Sequence, residues 1–160
     1  MAVFGFLELI KIFFVHMKAA YIAFQQNVFV KQNVTPHEWG MHRHAYRIRP
    51  DRVPAVISYD RESKILTMKK IKGANLVERY GPRADAIPHA IWAQVHQLVT
   101  DLKTGGVYYP DIDARNFMQE HGTDKVYIID FEHAYPHEYV DFVQGFVGDA
   151  GDNPHWNEEF

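Results

Sequence analysis

Two stretches decide the reading of this chain: Tyr109-Pro110-Asp111-Ile112-Asp113-Ala114-Arg115-Asn116 and Val126-Tyr127-Ile128-Ile129-Asp130-Phe131-Glu132-His133-Ala134. In the first, an aspartate and an asparagine stand five residues apart, D-x-x-x-x-N. In the second, an apolar β-prone run ends in Asp-Phe, fourteen residues beyond Asn116. Phe117-Met118 and Lys125 to Ile129 read as the arms of a hairpin around the polar segment Gln119 to Asp124. Upstream, Ile91, Val95, Leu98, Val99 and Leu102 recur with a helical period, which predicts a helix over Ile87 to Lys103 stopped by Gly105-Gly106.

Further upstream the pattern changes. Tyr21 to Gln32 (YIAFQQNVFVKQ) is rich in aromatic and β-branched residues and reads as one or two strands. Thr35, Pro36 and Glu38 carry the signature of a helix start, with Thr35 as N-cap, Pro36 at the first helical position and Glu38 at the capping-box position, so a short helix is expected over Thr35 to Arg47. Val53 to Tyr59 and Ser63 to Lys70 read as a strand pair around the turn Asp60-Arg61-Glu62. Ile71 to Gly81 reads as a connector. The order is strands, helix, strands, connector, helix and hairpin, which predicts an α+β fold of two lobes.

Bulk properties narrow the class. The chain has 160 residues, 47% of them hydrophobic, sufficient for one core. A net charge of -3 argues against a basic nucleic-acid-binding surface, and no nucleic-acid partner is expected. With no cysteine, structural disulfides and thiolate metal sites are excluded, and a reducing, cytoplasmic setting is compatible. The ten histidines are scattered without a zinc-binding motif. Val3 to Met17 is apolar but carries Glu8 and Lys11, so it is too short and too charged for a transmembrane helix and makes a poor signal peptide. Trp156 and Phe160 in the tail read as a staple to the body or as a partner motif.

The two stretches, in this order, resemble a reduced protein-kinase-like domain, closer to the aminoglycoside- and choline-kinase-like branch than to ordinary serine/threonine kinases. The string YPDIDARNF…IIDFEHA also resembles kinase-like proteins of large DNA viruses, for which the host cytoplasm would be the compartment. The resemblance covers about residues 21 to 145. It implies an apolar N-terminal extension at 1–20, an N-lobe-like unit at 21–72 and a truncated C-lobe at 73–160. It also implies ATP as substrate and Mg²⁺ as cofactor, with an unidentified protein or small-molecule hydroxyl as acceptor. By that resemblance Asp111 is the catalytic aspartate, Asn116 and Asp130 are the metal ligands, Lys31 holds nucleotide phosphates and Glu38 pairs with Lys31. Met68, Lys70 and Ile71, in MKKIKG, border the base.

Departures accompany the likeness. No G-x-G-x-x-G precedes Lys31. Tyr109 stands where the family has a histidine, Pro110 where it has an arginine, Asp113 where protein-serine kinases place a lysine, and Glu132 follows Asp-Phe in place of glycine. Only 28 residues follow Glu132, with no large peptide-binding half. A non-catalytic nucleotide- or partner-binding module is the alternative that these departures support. Asp113 reads equally as a further ligand or as a solvated turn carboxylate. Arg115 reads as the ion-pair partner of a carboxylate in its own loop. Tyr108, Tyr109, Phe117 and Phe131 read as core aromatics, and His133 as a surface histidine.

Overall fold

The computed structural model describes residues 27–136. The apolar segment at 1–20, the strand expected to begin at Tyr21 and the tail with Trp156 and Phe160 lie outside the described residues. Within them the fold is mixed α+β, built on small antiparallel sheets.

The chain opens with β1 (Val28–Lys31), turns through Asn33 in a left-handed conformation and enters α1 (Pro36–Ile48). Thr35 caps this helix, its Oγ1 accepting a hydrogen bond from the Glu38 amide at 3.0 Å. The capping box is not closed from the other side, because the Glu38 carboxylate turns to Lys31 instead. Glu38, His42 and Ala45 are the buried residues of α1 and share one face by their i, i+4, i+7 spacing. Strands β2 (Val56–Asp60) and β3 (Ile65–Lys69) follow, joined by a turn in which Asp60 accepts from the amides of Glu62 and Ser63. Strand β3 lies centrally, in the order β1-β3-β2, with Lys31 opposite Leu66 and Phe29 opposite Met68. Val53, expected in a strand, is instead buried in the loop before β2.

The expected connector is more structured than its sequence suggests. It holds β4 (Gly73–Asn75) and α2 (Leu76–Tyr80), and α2 begins with a complete capping box between Asn75 and Glu78. A 3-10 turn (Ala84–Ala86) leads to α3 (His89–Thr104), which buries all five residues of its apolar period. After β5 (Val107–Tyr108) come a 3-10 turn at Ala114–Asn116 and the hairpin β6 (Phe117–Glu120) and β7 (Val126–Ile128). Strand β4 adds to that hairpin, in the order β4-β6-β7, and β8 (Tyr135–Pro136) pairs with β5.

The core divides in two. A small cluster of Val34, Leu66 and Met68, with Trp39, Val56 and Tyr59 against it, sits beneath the first sheet. A larger cluster joins the apolar face of α3 to Ala45, Leu76, Tyr109, Phe117, Ile128 and Phe131. Tyr108, Tyr109, Phe117 and Phe131 are all fully buried, as their sequence reading expects. Among the described residues no helix is long and apolar enough to cross a membrane.

Candidate functional site

The site begins with a strand end and a helix start. Pairing with β3 puts Lys31 at the last position of β1, next to the small cluster. Thr35 and Pro36 start α1 four residues later and so place Glu38 in its first turn, where the helix dipole favours a carboxylate. The Lys31 ammonium donates to Glu38 Oε1 at 2.6 Å and to Asp130 Oδ1 at 2.8 Å. One cation thus joins two carboxylates that lie 92 positions apart in the sequence. Burial alone would lower the Lys31 pKa, but the hydrogen bonds to Asp130 and Glu38 outweigh it and the pKa is raised, so the ammonium is held charged. Burial pushes the Glu38 carboxyl upward, with Lys31 acting as the counterweight.

Asp130 reaches this bridge by an unusual backbone. Its φ of 60° lies in the left-handed region, which aspartate tolerates better than most residues. The turn is anchored through both backbone groups of the preceding residue: Ile129 N–H donates to Asn116 O at 2.9 Å, and Tyr109 O–H donates to Ile129 O at 2.7 Å. After the turn, Glu132 N–H donates to Asp130 Oδ1 at 3.2 Å. Both hydrogen bonds on the Asp130 carboxylate fall on Oδ1. Phe131 inserts between Tyr109 and His42, with ring centroids 5.5 and 5.1 Å away and edge-on geometry in both cases.

The segment 111–116 forms the floor. Asp113 caps the 3-10 turn, accepting from Arg115 N–H at 2.8 Å, and forms an ion pair with the Arg115 guanidinium. It is 3% exposed, so it is neither a solvated turn carboxylate nor a group facing outward. The turn directs Asn116 back on the loop, where Nδ2 donates to Asp111 O at 3.2 Å. Asp111 is half-buried, and burial raises its carboxyl above the ordinary range despite an opposing hydrogen bond from Asn116. A cavity of about 510 Å³ is lined by Asp111, Asp113, Arg115 and Asn116.

The three residues expected beside a base are placed differently from one another. The Met68 side chain is committed to the small cluster, and Met68 lies in the central strand with neighbours on both sides. Lys70 is exposed, and its N–H is spent on Asn27 O at 2.9 Å. Ile71, half-buried between β3 and β4, makes no hydrogen bond among the described residues, so of the three it alone keeps both backbone groups open.

Sequence reading missed how α1 is tied to the 130–134 segment. His42 is buried, meets Phe131 edge-on and bonds Pro54 O at 2.7 Å through Nε2; burial lowers its pKa. His37 Nε2 bonds Ala134 O at 2.7 Å. The available signal was the spacing of His42, four residues after Glu38 on the same helical face. The Tyr109 hydroxyl was also missed, and a buried tyrosine generally requires a partner for that group.

The donor set can be tested against Mg²⁺. Among the described residues no three His, Cys, Asp or Glu side chains converge as a metal cage. Mg²⁺ does not need one: it is usually held by one or two protein oxygens, with phosphates and waters completing the octahedron. The Asn116 amide oxygen and Asp130 Oδ2 are hard oxygen donors of that kind, on backbones joined by the Ile129–Asn116 hydrogen bond. The residues fit such an ion.

No protein-family model matches the chain, and no curated protein matches it. Among solved structures, the fold is similar to that of the Rv3197–erythromycin complex from Mycobacterium tuberculosis, with a TM-score of 0.51 and 24% identity. The likeness covers 62% of this chain and 26% of that one, so this chain spans about a quarter of the length of the protein it matches. A likeness at this identity concerns the fold alone, and it does not bear on the resemblance to viral kinase-like proteins.

Proposed function

We propose that the protein is an ATP- and Mg²⁺-dependent phosphotransferase of protein-kinase-like fold. The observation that supports this reading best is Lys31, whose ammonium contacts Glu38 and Asp130 together. A lysine oriented by a helix carboxylate, beside a carboxylate suited to a metal, is what phosphate binding at this kind of site requires. A purely structural role would leave unexplained why Asp130 adopts a left-handed backbone to reach it.

In this reading Lys31 steadies the non-transferred phosphates, and Ile71 offers its backbone to the base. Asn116 and Asp130 would hold the metal, and Mg²⁺ held there would offset the charge that develops during transfer. Asp111 orients the acceptor hydroxyl and takes its proton as the new O–P bond forms; the bond from the terminal phosphorus to the bridging oxygen breaks, and ADP carries away that electron pair. The raised pKa of Asp111 suits a proton acceptor better than an ordinary carboxylate would. Tyr109 joins the loop that carries Asp111 to the strand end that carries Asp130.

The acceptor we propose is a small-molecule hydroxyl rather than a serine or threonine in a protein. The similar mycobacterial structure is described as a complex with erythromycin, a small molecule. That ligand belongs to that protein, and it lends the small-molecule reading support by analogy only. We place the activity in the cytoplasm.

Calorimetric titration with ATP, with and without Mg²⁺, followed by γ-phosphate turnover on the same sample, tests the proposal. Metal-dependent binding with transfer or slow hydrolysis is expected. Binding without turnover in the presence of diverse hydroxyl acceptors would favour a non-catalytic nucleotide-binding module, and absence of binding would overturn the proposal.

A further inference from the structure

A second cavity, of about 500 Å³, shares no lining residue with the first. Its walls are the loop between α1 and β2, the link between β3 and β4, and the β6–β7 hairpin. None of Lys31, Glu38, Asp111, Asn116 or Asp130 lines it, whereas Ile71, one of the residues expected beside the base, does. Four lysines also line it: Lys69 from the end of β3, Lys70 and Lys72 from the link, and Lys125 from the hairpin.

These lysines are without carboxylate partners. Among the described residues none of the four enters an ion pair. Lys125 lies 5.1 Å from the centroid of the Tyr127 ring, and Tyr127 itself faces the cavity. Two carboxylates share the lining, and both have other partners. Asp51 is paired with Arg49 at 3.1 Å and with Arg52 at 3.2 Å, neither of which lines the cavity. Glu120 accepts from Thr123 Oγ1 at 3.1 Å. Four ammoniums against two carboxylates, of which Asp51 is already paired with arginines, leave the cavity with an excess of positive charge in a chain whose net charge is -3.

Like charges gathered around one concavity repel one another, and an anion between them relieves that repulsion. The volume falls within the range of small-molecule pockets. Lysine ammoniums present compact, freely orienting charges, which suit phosphate oxygens spread over several directions. An extended acidic peptide would need an open strip, whereas these lysines surround a concave space. We propose that this cavity is a binding site for a compact polyanion of the polyphosphate class, separate from the residues that hold the nucleotide phosphates and the metal. Its lining means that such a ligand touches the end of β3, the link after it and the β6–β7 hairpin together.

The test is a calorimetric titration of the full chain with inorganic tripolyphosphate in EDTA, where metal-dependent nucleotide binding makes no contribution. The variant is Lys72→Gln with Lys125→Gln, one residue from the link and one from the hairpin. The control is Arg61→Gln with Lys64→Asn, which removes the same charge from the exposed β2–β3 turn. Saturable binding is expected, at least tenfold weaker in the Lys72/Lys125 variant and within twofold of the parent in the control. Equal binding by parent and Lys72/Lys125 variant, an equal loss in the control, or no binding by the parent would each overturn the proposal. If the double variant fails to fold, Lys69→Gln alone replaces it, with a loss of several-fold expected and unchanged binding overturning the assignment. The readout needs neither Mg²⁺ nor turnover, so its failure is distinguishable from failure of the phosphotransferase reading.

Discussion

At the scale of single residues, three side chains carry separable predictions. Asp130 holds a positive φ that asparagine shares readily and alanine does not. Asp130→Asn is therefore expected to keep the fold while abolishing Mg²⁺-dependent ATP binding, and Asp130→Ala to be less stable than Asp130→Asn by about 1 kcal/mol in urea melts. Equal stability of the two variants would show that the left-handed turn is not what limits this position. Lys31→Met leaves Glu38 in a buried first turn without its cation; a loss of about 2 kcal/mol is expected, together with a fall in turnover of about a hundredfold or more. Tyr109 yields a pH prediction. Burial raises its phenol well above the ordinary value of 10.0, with nearby Asp111 adding to the shift. Above pH 10 the unfolded chain gives up this proton and the folded chain retains it, so stability falls as pH rises. Tyr109→Phe should flatten that alkaline loss in thermal melts, at a cost near neutrality of about 1 kcal/mol for the hydrogen bond to Ile129 O.

At the scale of elements, helices α1 and α3 and the hairpin were readable because their determinants are local. The α3 period, the Thr35-Pro36 start of α1 and the polar turn of the hairpin each lie within a few residues of what they specify. Strand β4 was not readable, since Gly73-Ala74-Asn75 has no strand pattern of its own and is extended only because it pairs with Glu120, Gln119 and Met118. Helix α2 did carry a signal, the N-L-V-E capping box, but five residues show too little of a period to stand out. Gly73 shows what that non-local pairing demands: a Cβ there would lie 2.2 Å from Gln119 O, a backbone atom that cannot move away without breaking the β4–β6 pairing. Gly73→Ala should thus destabilise by about 1–3 kcal/mol in denaturant melts, and a neutral result would mean that β4 is free to separate from the hairpin.

At the scale of the whole molecule, the candidate site depends on contacts that no local pattern encodes. Lys31 and Asp130 are 99 residues apart, and their juxtaposition was expected only from a family likeness, not from periodicity or spacing. The hydroxyl and ring of Tyr109 tie the Asp111 loop to Ile129 and Phe131, a role that emerges only once both segments are in place. Helix α1 meets the same 130–134 segment three times, through the Lys31 bridge, His42 against Phe131 and His37 at Ala134 O. A ligand that engages Lys31 and Asp130 should therefore stabilise parts of the chain far apart in sequence as one unit. If Mg·ATP binds the folded state alone, a concentration one hundred times its Kd adds about 2.7 kcal/mol to global stability. Hydrogen exchange should then slow together in Lys31 to His42 and in Ile129 to Ala134, with far smaller change in the β2–β3 turn. Asp130→Asn should lose both the added stability and the joint protection. Protection of the first segment without the second would mean that the nucleotide contacts Lys31 but leaves Asp130 unengaged, and the metal role assigned to Asp130 would fall.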